Sequence, residues 1–260
     1  MISKNEKGQK SRNRRATILS QLQESGRASV DGLAEMLSAT PQTIRKDLSL
    51  LEAEGGIMRI HGGAVLLAGS EYTSVDARKE IASKEKGRIG IACARLIPNN
   101  AVVSLNAGTT TASVARNIKY HTGVRLITDS VYVANEIRSF AGVEVLVPGG
   151  IVRRSDGTIS GPETVDFINN FRFDMAIIGA AAIEPSGALL DFDLHEAAVV
   201  KAMMKNARHI ILAVDSSKYG HSAPVQIGDL SQIQTIVTDK QCPAALRKIA
   251  REHNVQVIEC

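Results

Sequence analysis

"TPQTIRKDLSLLEAEGGIMRIHGG" occupies residues 40–63 and changes its grammar halfway. In its first half Ile44, Leu48 and Leu51 recur at helical spacing. Thr40 stands before them as an N-cap, and Pro41 takes the first helical position, where a missing N–H costs nothing. Past Gly55 and Gly56 the period shortens. Residues 57–67 read as two short strands turning at Gly62 and Gly63, since glycine accepts positive φ. With Ile44, Leu48 and Leu51 turned inward, the helix presents Gln42, Thr43, Arg45, Lys46 and Ser49 outward.

Toward the N-terminus the pattern supplies two more helices. Residues 12–25 place Ile18, Leu19 and Leu22 on one side, with Gly26 as a stop. Ser29 can cap a second helix in which Val30, Leu33, Ala34 and Leu37 fall at i, i+3, i+4 and i+7. Three helices and a hairpin predict a winged helix-turn-helix over residues 1–66. Its third helix carries the residue types that meet DNA: Arg reads guanine, Gln reads adenine, and Thr and Lys hold backbone. Arg59 and His61, beside Gly62 and Gly63, would bring the wing close to phosphates. Upstream, Lys4, Lys7, Lys10, Arg12, Arg14 and Arg15 face only Glu6 within residues 1–15, which concentrates much of the net +4 charge at one end. Thr40, Gln42, Thr43, Arg45, Lys46, Ser49, Arg59, His61, Gly62 and Gly63 are therefore the expected contacts to double-stranded operator DNA.

Downstream, glycine and polar residues break the periodicity over residues 67–82, as in a linker. Residues 83–260 then alternate apolar runs with helical segments. Strands are expected at 101–105, 124–128, 143–147, 175–179, 210–214, 235–239 and 255–259, and helices at 112–118, 131–140, 194–206 and 243–252. Apolar runs separated by helical crossovers predict a mainly parallel α/β sheet.

"SLNAGTTTASVARNI" (104–118) puts a glycine and three threonines where a strand gives way to a helix. Helix-start amides with neighbouring hydroxyls suit an anion such as a phosphate monoester, although an N-cap threonine in an ordinary turn explains the same letters. The pattern recurs at "TDS" (128–130), "PGG" (148–150) and "IGAAAI" (178–183), and ligands of open α/β sheets bind at strand ends. The expected effector site comprises Asn106, Gly108, Thr109, Thr110, Thr111, Thr128, Asp129, Ser130, Gly149, Gly150, Arg153 and Gly179. Asp191, Asp193 and Glu196 would accept sugar hydroxyls, and Lys218 would neutralise a phosphate. A competing role for Asp193 and Glu196 is a capping box, given their spacing. His195 has no neighbouring Cys or second His, so no metal is expected, nor any cofactor.

These motifs carry a resemblance. "VDGLAEMLSATPQTIRKDLSLLEAEG" followed by "RIHGGAVL" resembles the winged helix-turn-helix of the DeoR family of bacterial transcription regulators. "FDLHE", "AVDSSKYG" and the terminal "IEC" extend the likeness to residue 260. The resemblance implies a sensor domain similar in fold to ribose-5-phosphate isomerase, binding a phosphorylated sugar or polyol that releases operator DNA and turns on catabolic genes. Glycerol 3-phosphate is the first candidate effector. Two departures stand out: Lys46 where the family commonly has a second arginine, and Asn106 where many relatives have Asp. Lysine is a point charge, not a fork, and suits phosphate better than a base edge.

At 260 residues, with 44% hydrophobic, 3% aromatic and 22% charged residues, the chain has the makeup of two folded domains with aliphatic cores. Cys93, Cys242 and Cys260 form no C-x-x-C pair, and no run approaches the roughly 20 apolar residues of a membrane helix. A cytoplasmic setting, a homo-oligomer matched to paired half-sites, and no membrane partner are expected. An alternative makes Asp191, Asp193 or Glu196 a general base and Lys218 an electrophile in aldose-ketose isomerisation, with no use for the DNA-reading head. No catalytic residue is expected on the regulator reading.

Overall fold

The computed structural model describes residues 4–25, 27–53, 57–60, 62–66 and 82–260. It comprises two compact units, Met1–Arg78 and Lys79–Cys260. Gly26, Gly55, Gly56, His61 and the expected linker up to residue 81 lie outside the described residues.

In the first unit α1 (Lys4–Ser25), β1 (Arg27–Ser29), α2 (Val30–Met36), α3 (Pro41–Ala53), β2 (Ile57–Ile60) and β3 (Gly63–Leu66) follow in order. Ser29 Oγ accepts the Gly32 N–H (3.1 Å) and Thr40 Oγ1 the Thr43 N–H (3.2 Å), so both expected caps are made. Ile18, Leu19 and Leu22 of α1, Val30 and Leu33 of α2, and Ile44, Leu48 and Leu51 of α3 form one buried cluster. Each such side chain contributes about 1.5–3 kcal/mol by leaving water. α1 starts well before the expected residue 12.

The wing differs from expectation in two ways. It has three strands, not two, because β1 pairs antiparallel with β3. Ile60 pairs directly with Gly63, so Gly63 belongs to the strand and, among the described residues, the turn is left to Gly62. Gly62 has φ +77°, the conformation the turn demands. Gly63 is needed for another reason: a Cβ there would stand 2.3 Å from the Ala28 carbonyl oxygen, so only glycine lets β1 close on β3.

The second unit is built on a seven-stranded parallel sheet of β4 (Val102–Leu105), β5 (Val124–Thr128), β6 (Val143–Leu146), β9 (Phe173–Ile178), β12 (Ala207–Ala213), β14 (Thr235–Thr238) and β15 (Gln256–Glu259). All seven expected strands are there. Leu126, Ile177 and Ile211 pack on α4 (Ser83–Ala94), α5 (Thr109–Arg116) and α6 (Val131–Ile137) on one face. Ile127 and Phe173 pack on α7 (Pro162–Asn169) and α8 (Leu194–Lys205), and Ile178 and Leu212 on α8 and α9 (Ala244–Glu252), on the other. Alternating strand residues thus fill two cores, which is why the runs read as continuously apolar. Two small antiparallel additions escaped the sequence: the hairpin β7 (Ile151–Val152) and β8 (Ile159–Ser160), and the sheet of β10 (Ala182–Ile183), β11 (Ala188–Asp191) and β13 (Val225–Asp229).

Candidate functional site

The head presents its chemistry from α3. Gln42, Arg45 and Lys46 are exposed, as their helical phase requires, while Thr40 and Thr43 link hydroxyls at 2.8 Å beside the cap. Ser49 is partly turned away from this outer role. Its hydroxyl donates to the Arg45 carbonyl (2.9 Å) and accepts from the Arg59 guanidinium (2.6 Å). Arg59 also donates its backbone N–H to Glu52 (2.9 Å), which ties β2 to α3. Arg59 and Ser49 together therefore fix the wing against the helix that would enter a groove.

Asp47 carries a role the sequence did not disclose. Only 2% exposed, it accepts from the Arg14 guanidinium and from Ser11 Oγ (3.4 Å), so α1 holds α3 through a buried acid. The signal would have been a charged residue falling on the apolar side of α3.

In the second unit the strand order β15-β14-β12-β9-β4-β5-β6 reverses direction at one place. From β4 the chain proceeds through β5 to β6; from β9 it proceeds the other way through β12 and β14 to β15. The crossovers therefore diverge between β4 and β9, and in parallel sheets a crevice opens there at the carboxyl ends. Asn106 follows β4 and Gly179 follows β9. They meet directly: Asn106 Oδ1 accepts the Gly179 N–H (2.9 Å). A Cβ on Gly179 would make only ordinary contacts, with Thr111 Cγ2 and the Ala213 carbonyl at 3.8 Å.

Helix α5 starts at Thr109, with extended Gly108 in the N-cap position and no side-chain cap bond. The ordinary N-cap threonine of the sequence alternative is thus not what is built. Thr111 Oγ1 instead donates back to the carbonyls of Asn106 (2.7 Å) and Gly108 (3.1 Å), closing the loop on itself. The Ala107 N–H donates to Asp129 Oδ1 (2.6 Å), which joins this loop to the end of β5. Thr128 Oγ1 accepts the Ser130 N–H, and Ser130 Oγ caps α6 through Val133 N–H, both at 3.2 Å.

Asp129 is fully buried, and its Oδ2 has no hydrogen-bond partner among the described residues. Burial pushes its pKa well above the usual carboxylate range. The charge of Glu196 adds to the rise, the Ala107 N–H opposes it, and Asp156 adds further. Arg153 gathers these acids. Its guanidinium forks onto Asp156 (2.9 and 2.5 Å), reaches Glu196 Oε2 (2.8 Å) and donates to Thr158 Oγ1 (3.2 Å). Burial alone would lower the Arg153 pKa; the Asp156 hydrogen bonds and Glu196 charge reverse this and fix the cation. The pair joins the β7–β8 hairpin to the start of α8.

The remaining expected residues have more structural duties. Asp193 accepts the N–H groups of His195 (2.8 Å) and Glu196 (2.9 Å) as the N-cap of α8, while Glu196 is bound to Arg153. Gly149 and Gly150 lie against α7: the Gly149 carbonyl accepts from Thr164 Oγ1 (2.9 Å), and a Cβ on Gly150 would meet that oxygen at 2.3 Å. Asp191 is buried at the end of β11, whose Leu190 carbonyl accepts the Ala181 N–H beyond Gly179. Lys218 is half-buried on a single 3₁₀ turn after β12, capped by the buried Asp215. Hydrogen bonds thus draw together Asn106, the threonine loop, Asp129 and Gly179, and likewise Arg153 with Glu196; the Ile159 N–H, donating to the Asp129 carbonyl (2.6 Å), ties the two groups. Asp156 and Asp215 were not foreseen; Asp215 heads the "DSSK" stretch, where an acid before serines is a turn signal.

No group of three or more His, Cys, Asp or Glu among the described residues is placed to hold a metal, and no described helix is long and apolar enough to cross a membrane.

The DeoR C terminal sensor domain model matches residues 81–240, and the DeoR-like helix-turn-helix domain model matches residues 14–69. The chain belongs to the DeoR family. The glycerol-3-phosphate regulon repressor of Escherichia coli (strain K12) is 36% identical over 243 residues, covering 94% of this chain and 96% of that one. The HTH-type transcriptional repressor CsqR of the same organism is 37% identical over 241 residues, covering 93% and 92%. A solved ribose 5-phosphate isomerase A of Methanocaldococcus jannaschii aligns with a TM-score of 0.40 at 18% identity, over 53% of this DeoR-family chain and 55% of that chain.

Proposed function

We propose that this DeoR-family protein is a DNA-binding transcriptional repressor of catabolic genes, released from its operator by a phosphorylated sugar or polyol. Residues 1–66 read the operator, residues 67–82 connect, and residues 83–260 sense the effector. The observation that carries the proposal is the exposed Gln42, Arg45 and Lys46 row on a helix whose opposite side is fully packed. Arg45 and Gln42 suit base edges, Lys46, Thr40 and Thr43 suit phosphates, and Arg59 aligns the wing. The name of the Escherichia coli glycerol-3-phosphate regulon repressor makes glycerol 3-phosphate the first effector to test.

The switch-point crevice supports the sensor half of the reading. The α5 N-terminus offers backbone N–H groups to an anion. On this reading Lys218 supplies a cation, while Asp191 and the Arg153–Glu196 pair take the hydroxyls by exchanging their present bonds. An effector that binds better to the non-operator state weakens DNA binding by about 5- to 150-fold for a coupling of about 1–3 kcal/mol. The second unit senses and does not catalyse, so pentose phosphates should emerge unconverted.

The test uses a duplex selected from a random pool by the full-length protein. Lys218→Ala should bind that duplex normally yet ignore effector; normal release by effector in this variant would remove Lys218 from the site. Specific duplex binding that no phosphorylated sugar or polyol alters would refute the sensor reading.

A further inference from the structure

Helix α1 extends beyond the core it serves. Ile18, Leu19 and Leu22 seat it in the head, and Arg14 and Ser11 hold it to Asp47 of α3. The helix nevertheless begins at Lys4, and the DeoR-like helix-turn-helix match begins only at residue 14. Residues 4–10 of the helix therefore lie upstream both of that match and of the Ser11 and Arg14 contacts to Asp47.

Those residues are poor material for an isolated helix end. Lys4, Lys7 and Lys10 succeed one another at i, i+3 spacing, where like charges cost about 0.2–0.5 kcal/mol per pair. They also occupy the positive end of the helix dipole, which disfavours cations. Arg12, Arg14 and Arg15 continue the run, and Glu6 is the only acid among residues 1–15. A polyanion laid along the helix removes both penalties.

The helix also has a direction. At about 100° per residue, positions 11, 14 and 15 all fall within about 60° of position 18. That is the side on which Ser11 and Arg14 meet Asp47, the residue next to Lys46 in α3. The basic extension is thus continuous with the helix that carries the DNA-reading row, and Lys10 and Arg12 beside it are exposed.

We infer that residues 4–15 of α1 form a phosphate rail, lying along the backbone of the duplex whose major groove receives α3. The inference rests on the DNA-reading role of α3 proposed above. It adds contacts that are blind to sequence, outside the row that reads bases, and it commits this surface to duplex DNA.

The test is the full-length K4Q/K7Q/K10Q variant, with K4R/K7R/K10R as a charge-conserving control. Binding is measured across a salt series to the duplex selected by the wild type and to a scrambled duplex of equal length. Each neutralised phosphate contributes about −0.9 to the slope of log K against log salt, so the Gln variant should be shallower by about two to three. Its affinity should fall by one common factor on both duplexes, and the Arg variant should keep the wild-type slope. Melting at or slightly above the wild type would confirm that contact, not fold, was lost. An unchanged slope, or a loss confined to the selected duplex, would overturn the rail. Absence of selected-duplex binding by the wild type itself would instead overturn the α3 reading on which it rests.

Discussion

The two units hold their polar chemistry in opposite ways. In the head, Gln42, Arg45 and Lys46 stand exposed on a helix whose other side is packed and locked by Asp47, Arg14 and Ser11. In the second unit the corresponding groups are buried or half-buried and already bound: Asn106 to Gly179, Asp129 to Ala107, Arg153 to Glu196 and Asp156, Asp193 to its own helix. A surface that reads a rigid duplex benefits from groups fixed in advance, since ordering them on binding would cost affinity. Groups that must change state with a small molecule need bonds that can be exchanged, because only a difference between two states couples one site to another. On the proposed function the head is accordingly a fixed tool, and the sensor a set of groups that exchange partners.

The largest expected effect breaks the fixed side of this contrast. Arg14→Ala leaves Asp47 buried without its cation and should destabilise the head by about 2–3 kcal/mol, less than the roughly 3–5 kcal/mol of a fully buried pair because Arg14 is partly exposed. Melting followed separately in the two units should show the loss in the head only. Next, Arg45→Ala should cost about 1–3 kcal/mol of binding to the selected duplex, with relaxed specificity at one base position. Its effector-induced thermal shift should be unchanged; equal loss of both would erase the division between units.

Two smaller effects sharpen the sensor side. Asp193→Ala removes the α8 cap and should cost about 1 kcal/mol of sensor stability, with the Arg45-dependent DNA contacts intact. Asp129 offers a trend with pH. The native carboxyl keeps its proton to a pH well above that at which the unfolded chain ionises. The native state therefore binds the extra proton in that window, and stability, full below about pH 4, falls as pH rises through it. Asp129→Asn imitates the neutral acid, so its melting advantage over the wild type should widen from pH 4 to pH 8. A constant difference would show that ionised Asp129 is tolerated.

Much of this was legible in the letters, and what was not has physical causes. The strands of the parallel sheet announce themselves because burial on both faces writes unbroken runs such as "VRLIT" and "MAIIG". The β7–β8 hairpin has two-residue strands, too short for any periodicity to develop. Helix α4 hides for another reason: Gly90 touches Ser113 so closely that a Cβ would stand 2.4 Å from its hydroxyl, so the packing residue there carries no apolar signal. The threonine loop and Asn106 stand out in the sequence because strand-to-helix glycines are local features. The bond from Arg153 to Glu196 was not, since it joins residues 43 apart in sequence and depends on the folded hairpin. Ser49 was assigned from its helical phase, which cannot show that Arg59 would claim its hydroxyl.

The central claim is that the exchangeable sensor controls the fixed head. Its most direct test is the anisotropy of the selected duplex bound to the wild-type protein, titrated with glycerol 3-phosphate and a panel of sugar and polyol phosphates. The account predicts that at least one of these compounds weakens DNA binding by about 5- to 150-fold, while the unphosphorylated parent does not. Specific duplex binding that stays constant across the whole panel would contradict it.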